Sequence, residues 1–432
     1  VRFVQRYREI ILHAGLGKTG SSSIQENCWR QRSFLNSRSI CYPQFQLGSR
    51  RLNNHSDALS GAICVDPAEH GVTRRHAASG DAAAIAGELR SQLNAVLSAP
   101  AVDCLVLSAE SVANFSDDEL QVLRGLLEPH TQRLRVIAYM RSPQSTLESM
   151  LQQRVKGGNP VAEASLSGVV RSRYERLSRN FAGLIEWINF HQAIEQPGGL
   201  VGSFLRAIGI ADRDIDALDF HHSNESMSFE ACSIMIAINQ HFPRDLASTH
   251  GVARLPGDLN ALGSLPGQRF QLPDFLESQL YGSAIAEGEW LERELGMEFP
   301  PLPERDEQPL WQWQTLEVLE GHVRRLQNPH FQRVASNYLL QQAELIAGRQ
   351  PLNAGALELI GRRLQHEQND ETGRLCQSLG ADYFKFAALQ TERHSPELAL
   401  TLMSLALALK PDGSLIKERI EDYRQRLQTG EP

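Results

Sequence analysis

One lysine, Lys18, stands among glycines. The stretch E-I-I-L-H-A-G-L-G-K-T-G-S-S-S-I-Q, residues 9–25, sets Gly15, Gly17 and Gly20 around it and adds the hydroxyls of Thr19, Ser21 and Ser22. Glycines let backbone N–H groups converge, and a helix start contributes unpaired donors and a partial positive charge. Together these make a cradle for a phosphate. A Walker A loop, G-x4-G-K-[ST], could end on Gly17-Lys18-Thr19, but its first glycine would fall on Leu12, so the nucleoside-triphosphate version is disfavoured. What remains is a shorter cradle, Gly17-Lys18-Thr19-Gly20-Ser21-Ser22, that opens directly into a helix. A carboxylate, Glu110, and an arginine, Arg141, each follow further apolar, strand-like runs.

The elements that must position these groups alternate along the chain. Residues 9–14 read as a buried strand and 21–36 as a helix. Ile40 to Tyr42 is a short strand stopped by Pro43, and residues 44–80 read as irregular chain over a cleft. Residues 81–98 form a helix capped by Asp81, Val102 to Leu107 a strand, and Ser116-Asp-Asp-Glu119 a capping box that opens a helix to about Leu127. Arg135 to Met140 is another strand, with a helix after Pro143. This alternation predicts an α/β fold, a P-loop-like three-layer parallel sheet with flanking helices. In such sheets ligands sit beyond the carboxyl ends of the strands, where the loops after Ala14, Leu107 and Met140 converge.

Residues 160–300 read as mainly helical, with helices at 198–208 and 226–241 and a long loop at 250–268. The expected division is a first domain over 1–300, a Pro-rich acidic linker at 301–312, and an all-helical C-terminal domain over 313–432. In that last part Ala399, Met403, Ala406, Leu407, Leu409 and Pro411 follow the spacing of a tetratricopeptide second helix.

Composition narrows the class. The 432 residues are 41% hydrophobic and 22% charged, as expected of a soluble globular chain. A net charge of −8 argues against a nucleic-acid partner, although the first sixty residues are locally basic. The six cysteines form no C-x-x-C pair, so neither a zinc site nor a disulfide framework is indicated and no metal is expected. No apolar run approaches membrane-spanning length and no signal peptide is visible, so the expected setting is cytoplasmic.

The loop H-x-G-x-x-K-T-G-S-S-x-I-Q resembles the 5′-phosphosulfate loop of sulfotransferases that use 3′-phosphoadenylyl sulfate, in the form of the bacterial and Golgi carbohydrate enzymes. The resemblance implies that Lys18 reaches the oxygen bridging phosphate and sulfate, and that Gly17, Thr19, Gly20, Ser21 and Ser22 hold the 5′-phosphate. R-V-I-A-Y-M-R-S-P-Q-S-T-L-E-S-M, residues 135–150, resembles the 3′-phosphate site, with Arg141 and Ser149 as its ligands. Arginine suits that task because its planar fork matches two phosphate oxygens. L-V-L-S-A-E-S-V-A-N-F-S-D-D-E, residues 105–119, resembles the Golgi pattern in which a glutamate acts as base, which implies that role for Glu110. The acceptor implied is a carbohydrate or glycolipid hydroxyl or amine.

Further candidates are His13 and His55 toward the acceptor, Lys156 toward acceptor or cofactor, and Arg269 in a loop like the one that closes over the cofactor. The segment S-N-E-S-M-S-F-E-A, 223–231, reads as a helix cap. One departure stands out. An Asn180-Phe181-x2-Leu184-x2-Trp187 helix is followed by only I-N-F-H-Q-A-I-E-Q-P before Gly198, which predicts a missing strand or a deletion. Three alternatives stay open: a nucleotide kinase with an atypical loop, a non-catalytic nucleotide-binding module, and a protein-interaction role carried by the C-terminal helices.

Overall fold

The computed structural model describes residues 6–64, 66–67, 81–99, 102–159, 169–221, 226–244, 254–270, 274–301, 311–378, 381–392, 396–410 and 412–429. The chain divides into two compact units. The first takes Val1–Leu147, Leu166–Asn224 and Glu277–Leu302; the second takes Glu148–Ser165, Glu225–Leu276 and Pro303–Pro432. This differs from the contiguous division expected at 301–312. Two internal segments join the C-terminal helices, and most of the expected linker lies outside the described residues.

The first unit is built on a five-stranded sheet, in the order β2-β5-β1-β6-β7. Its strands are β1 (Tyr7–His13), β2 (Ile40–Cys41), β5 (Cys104–Ser108), β6 (Thr131–Met140) and β7 (Ile185–Asn189). All four pairings are parallel, and β1 lies at the centre with His13 in register with Ser108 on one side and Ile137 on the other. Strands buried on both faces read as continuous apolar runs, which is why Ile10, Ile11 and Leu12 follow one another. Ile10, Leu12, Leu105, Leu107 and Val136 pack beneath the helices Ala82–Ser98 and Asp117–Leu127 through Leu89, Leu93, Leu120 and Leu123. Ile11, Val106, Ile137 and Tyr139 face the opposite side, against Ile24 and Cys28 of the helix Ser21–Arg30 and Phe204 of the helix Gly199–Ala207. The expected sheet with helices on both faces is therefore present.

Local cap chemistry holds where it was expected. Asp81 accepts a hydrogen bond from the Ala83 N–H, and Ser116 and Glu119 form a reciprocal capping box. Four expectations are corrected. Residues 45–63 are regular rather than irregular: β3 (Phe45–Leu47) and β4 (Arg50–Leu52) form a hairpin, followed by the helix Ser56–Ile63. Its turn has glycine at the first central position, Gly48, with φ 55°. The helix expected to run on through Trp187 ends at Asn180, because Gly183 turns left-handed at φ 73° and the chain then enters β7. β7 pairs with β6 from Val136–Ile185 to Met140–Asn189. No strand is missing, and no deletion is needed to explain the short connection: the Asn189 carboxamide caps the next helix, Phe190–Glu195, immediately. The loop expected at 250–268 contains the helix Pro256–Gly263.

The second unit is helical in its described parts. The buried Asp258 carboxylate accepts hydrogen bonds from the Gln327 and Asn328 N–H groups at 2.6 and 3.0 Å, tying the helix Pro256–Gly263 to the start of the helix Pro329–Ile346. The helices Ala381–Thr391, Pro396–Leu409 and Ser414–Thr429 share a core that includes Ala399, Met403, Ala406, Ile420 and Tyr423. No helix among the described residues is long and apolar enough to cross a membrane.

Candidate functional site

The loop from Ala14 to Gly20 leaves the central strand between its two neighbours. The Ala14 N–H donates to the Ile137 carbonyl at 2.9 Å, and the Ala109 N–H donates to the His13 carbonyl at 2.9 Å. The start of the loop is thereby pinned to the carboxyl ends of β6 and β5. Thr19 closes the loop on itself, its hydroxyl donating to the Leu16 carbonyl at 2.6 Å. Lys18 and Gly20 both adopt left-handed backbone, each at φ 74°. For lysine this conformation carries strain, the kind of outlier that collects at functional sites. Gly20 has a second constraint, since a Cβ there would collide with Leu200.

Buried polar atoms gather around Gly15. A Cβ at that position would meet the Ser21 hydroxyl and lie 3.3 Å from His13 Nε2 and 3.4 Å from Thr19 Oγ1. Ser21 Oγ and His13 Nε2 are both buried and have no hydrogen-bond partner among the described residues. Such groups are uncommon in folded proteins and ask for an explanation, a bound polar ligand among them. Gly20 is the N-cap residue of the helix Ser21–Arg30, and no side chain caps it. The Ser23 N–H turns back to the Gly20 carbonyl at 3.0 Å; the N–H groups of Ser21 and Ser22 precede the first intrahelical bond, and the helix dipole favours an anion there. Ser22 is exposed at this terminus.

Arg141 follows β6 and holds the loop from beneath. Its Nη1 donates to the Lys18 carbonyl at 2.7 Å, its Nε donates to the Ser145 hydroxyl at 2.7 Å, and its guanidinium lies 5.0 Å from the Phe190 ring centroid. Lys18 and Arg141 are thus brought together through the lysine backbone. Ser149 lies one turn beyond Ser145 on the helix Pro143–Lys156, in the part that belongs to the second unit, so it is not in the unit that holds Arg141. Lys156 ends that helix, and its charge is felt by the buried thiol of Cys232 in the same unit.

Glu110 opens the short 3-10 turn Glu110–Asn114 directly after β5 and is half-buried. The helix Val169–Asn180 packs on this turn, and Arg176 donates to the Phe115 carbonyl at 2.9 Å. The same helix supplies a residue that the sequence reading passed over. Arg173 Nη1 lies 3.7 Å from where a Cβ on Gly17 would be, within electrostatic reach of Glu110. Burial, and then the neighbouring Arg176, push the Arg173 guanidinium below its ordinary value, while the Glu110 carboxylate opposes the shift.

Both histidines expected toward the acceptor are buried. His13 is fully buried, with Nδ1 2.8 Å from Ser108 Oγ and its ring against Tyr139 and Phe204. Burial pushes its pKa down to about 3. His55 is also fully buried and clasps β5. The Ser108 N–H donates to His55 Nδ1 at 3.0 Å, which leaves Nε2 protonated to donate to the Pro43 carbonyl at 3.0 Å. Desolvation pushes His55 down to about 4, opposed by its bond to Pro43.

Arg269 is largely exposed and faces the Glu148 carboxylate at 3.6 Å within the second unit. Ser228 caps the helix Phe229–His241, accepting from the Ala231 N–H at 3.2 Å, as the cap reading expected; residues 223–225 lie outside the described residues. Among the described residues, no group of three or more His, Cys, Asp or Glu side chains is arranged to hold a metal ion. The arrangement on the first unit can therefore bind a compact anion at the Gly15–Ser22 loop beside one carboxylate. Compared with protein-family models, curated proteins and solved structures, the chain matches none of them.

Proposed function

We propose that the first unit is a sulfotransferase that moves a sulfuryl group from 3′-phosphoadenylyl sulfate to a hydroxyl or amine of a carbohydrate or glycolipid. The observation that carries the reading is the loop itself. Buried, unpartnered Ser21 Oγ and His13 Nε2 surround Gly15 at an uncapped helix terminus, with Lys18 held left-handed beside them. The donor and acceptor classes come from the sequence resemblance. β7 is the strand that the short connection before Gly198 had predicted to be missing.

In this reading the loop amides and the hydroxyls of Ser21 and Ser22 hold the 5′-phosphate, with Thr19 bracing the turn. Glu110 accepts the proton of the acceptor as its oxygen or nitrogen attacks sulfur in line. The bond between sulfur and the bridging oxygen breaks, and the electron pair stays with the departing 3′-phosphoadenosine 5′-phosphate. Lys18 meets that growing charge, and preorganised donors of this kind are where such catalysis resides. Arg141 keeps its hold on the Lys18 carbonyl and turns its other edge from Ser145 toward the 3′-phosphate; Ser149, the second ligand the resemblance implies, belongs to the second unit.

Calorimetric titration of the whole chain with 3′-phosphoadenosine 5′-phosphate and with ATP tests the reading. The bisphosphate should bind and ATP should bind far more weakly; tight ATP binding without a response to the bisphosphate overturns it. Glu110→Gln should keep nucleotide affinity and slow transfer by about 10²–10⁴-fold. Unchanged turnover removes Glu110 from the role of base.

A further inference from the structure

The helix Val169–Asn180 carries four arginines, and their surroundings differ. Arg171 lies 4.1 Å from the Trp290 ring centroid and pairs with Glu175 at 2.9 Å. Arg176 donates to the Phe115 carbonyl, and Arg179 lies 3.5 Å from Asp117. Arg173 makes no hydrogen bond or ion pair among the described residues, although it is only partly exposed and points at the loop beside Gly17. A cation drawn out of water without a partner is unfavourable, and a nearby anion relieves it. Arg176, close enough to repel Arg173, sharpens that preference.

We infer that Arg173 is the second cation of the anion site, gripping from above Gly17 a pyrophosphate-like group that the loop holds from below. It rests on the proposed function for the identity of that group, a phosphosulfate. Two features follow from the placement. Arg173 lies beside Gly17 and within electrostatic reach of Glu110, so in this inference it contacts the end of the donor nearer the base. It also couples the two halves of the site, because the helix that carries it packs on the turn that begins with Glu110. With a phosphosulfate bound, a planar guanidinium there can bond two oxygens at once, which lysine cannot.

The test uses the full chain with two probes, inorganic pyrophosphate and 3′-phosphoadenosine 5′-phosphate, titrated into wild type, Arg173→Ala, Arg173→Met, Arg173→Lys and Arg30→Ala. Arg30→Ala makes the same change in net charge at an exposed position paired with Glu26. Arg173→Met keeps the apolar stem and carries the test should the alanine variant fold poorly. Arg173→Ala and Arg173→Met should weaken pyrophosphate binding about tenfold or more, Arg173→Lys should recover part of the loss, and Arg30→Ala should match wild type. Pyrophosphate affinity unchanged in Arg173→Met, or lost equally in Arg30→Ala, overturns the inference. If wild type binds pyrophosphate and not the bisphosphate nucleotide, the sulfotransferase reading fails while Arg173 is still judged on pyrophosphate. If wild type binds neither, both fall.

Discussion

Lys18 is held at φ 74°, and its replacement by glycine and by alanine should separate what the backbone needs from what the ammonium does. An L-residue in left-handed backbone costs roughly 1–2 kcal/mol relative to its preferred conformations. Glycine escapes that penalty but loses about 0.5–1 kcal/mol more conformational freedom on folding. Alanine keeps its Cβ and so keeps the strain. The difference leaves the glycine variant more stable than the alanine variant by about 0.5–1 kcal/mol. With a urea slope of about 1–3 kcal/mol/M, that separates their midpoints by a few tenths molar, which matched equilibrium unfolding curves resolve. Both variants lack the ammonium, so both should lose the proposed transfer activity to a similar extent, about 10²–10³-fold. An alanine variant as stable as the glycine variant would show that the left-handed conformation carries no strain. Activity retained in either would remove the ammonium from the mechanism.

Two further outcomes follow from the buried groups. His13 and His55 are pushed down to about 3 and about 4 by burial, below the ordinary histidine value near 6.5. The unfolded chain therefore binds more protons below pH 6.5, and stability should fall as pH drops through that value toward 4, by on the order of 2 kcal/mol per histidine at pH 5. Urea midpoints at pH 7.5 and 5 check this, and His55→Asn should flatten part of the slope; a pH-independent midpoint refutes it. Gly20→Ala faces both the left-handed backbone and the Leu200 side chain, so it should destabilise by about 2 kcal/mol or more, read by thermal unfolding. A variant as stable as wild type would mean that Leu200 yields at no cost.

What the sequence disclosed depended on the range over which each feature is encoded. The Asp81 cap and the Ser116–Glu119 box lie within one helical turn and were legible in full. The glycine loop was legible for the same reason. β7 was not, because Asn180, Leu184 and Trp187 mimic a helical spacing, and only the left-handed Gly183 reveals the break. The hairpin at Phe45–Leu52 had a short-range signal in Gly48-Ser49 that surrounding polar residues obscured. The burial of His55 was not legible because its sequence neighbours are polar, yet tertiary packing brings it onto Ser108, fifty-three positions away. Arg173 was illegible for a different reason. Nothing in R-S-R-Y-E-R-L-S-R distinguishes one arginine from the next; only the rotation of the folded helix aims one of them at Gly17.

The central place of β1 has a further consequence for motion. Its amides are locked between two parallel neighbours, and its side chains are buried in the cores on both faces. Hydrogen exchange at Ile10 to Leu12 should therefore proceed only through opening of the whole first unit, whereas helix ends and the outer hairpin exchange by local fraying. The loop begins two residues beyond that segment, at Ala14. On that expectation a strained backbone at Lys18 persists because its anchor opens last, and capture of the proposed ligand need not await an ordering step at the base of the loop.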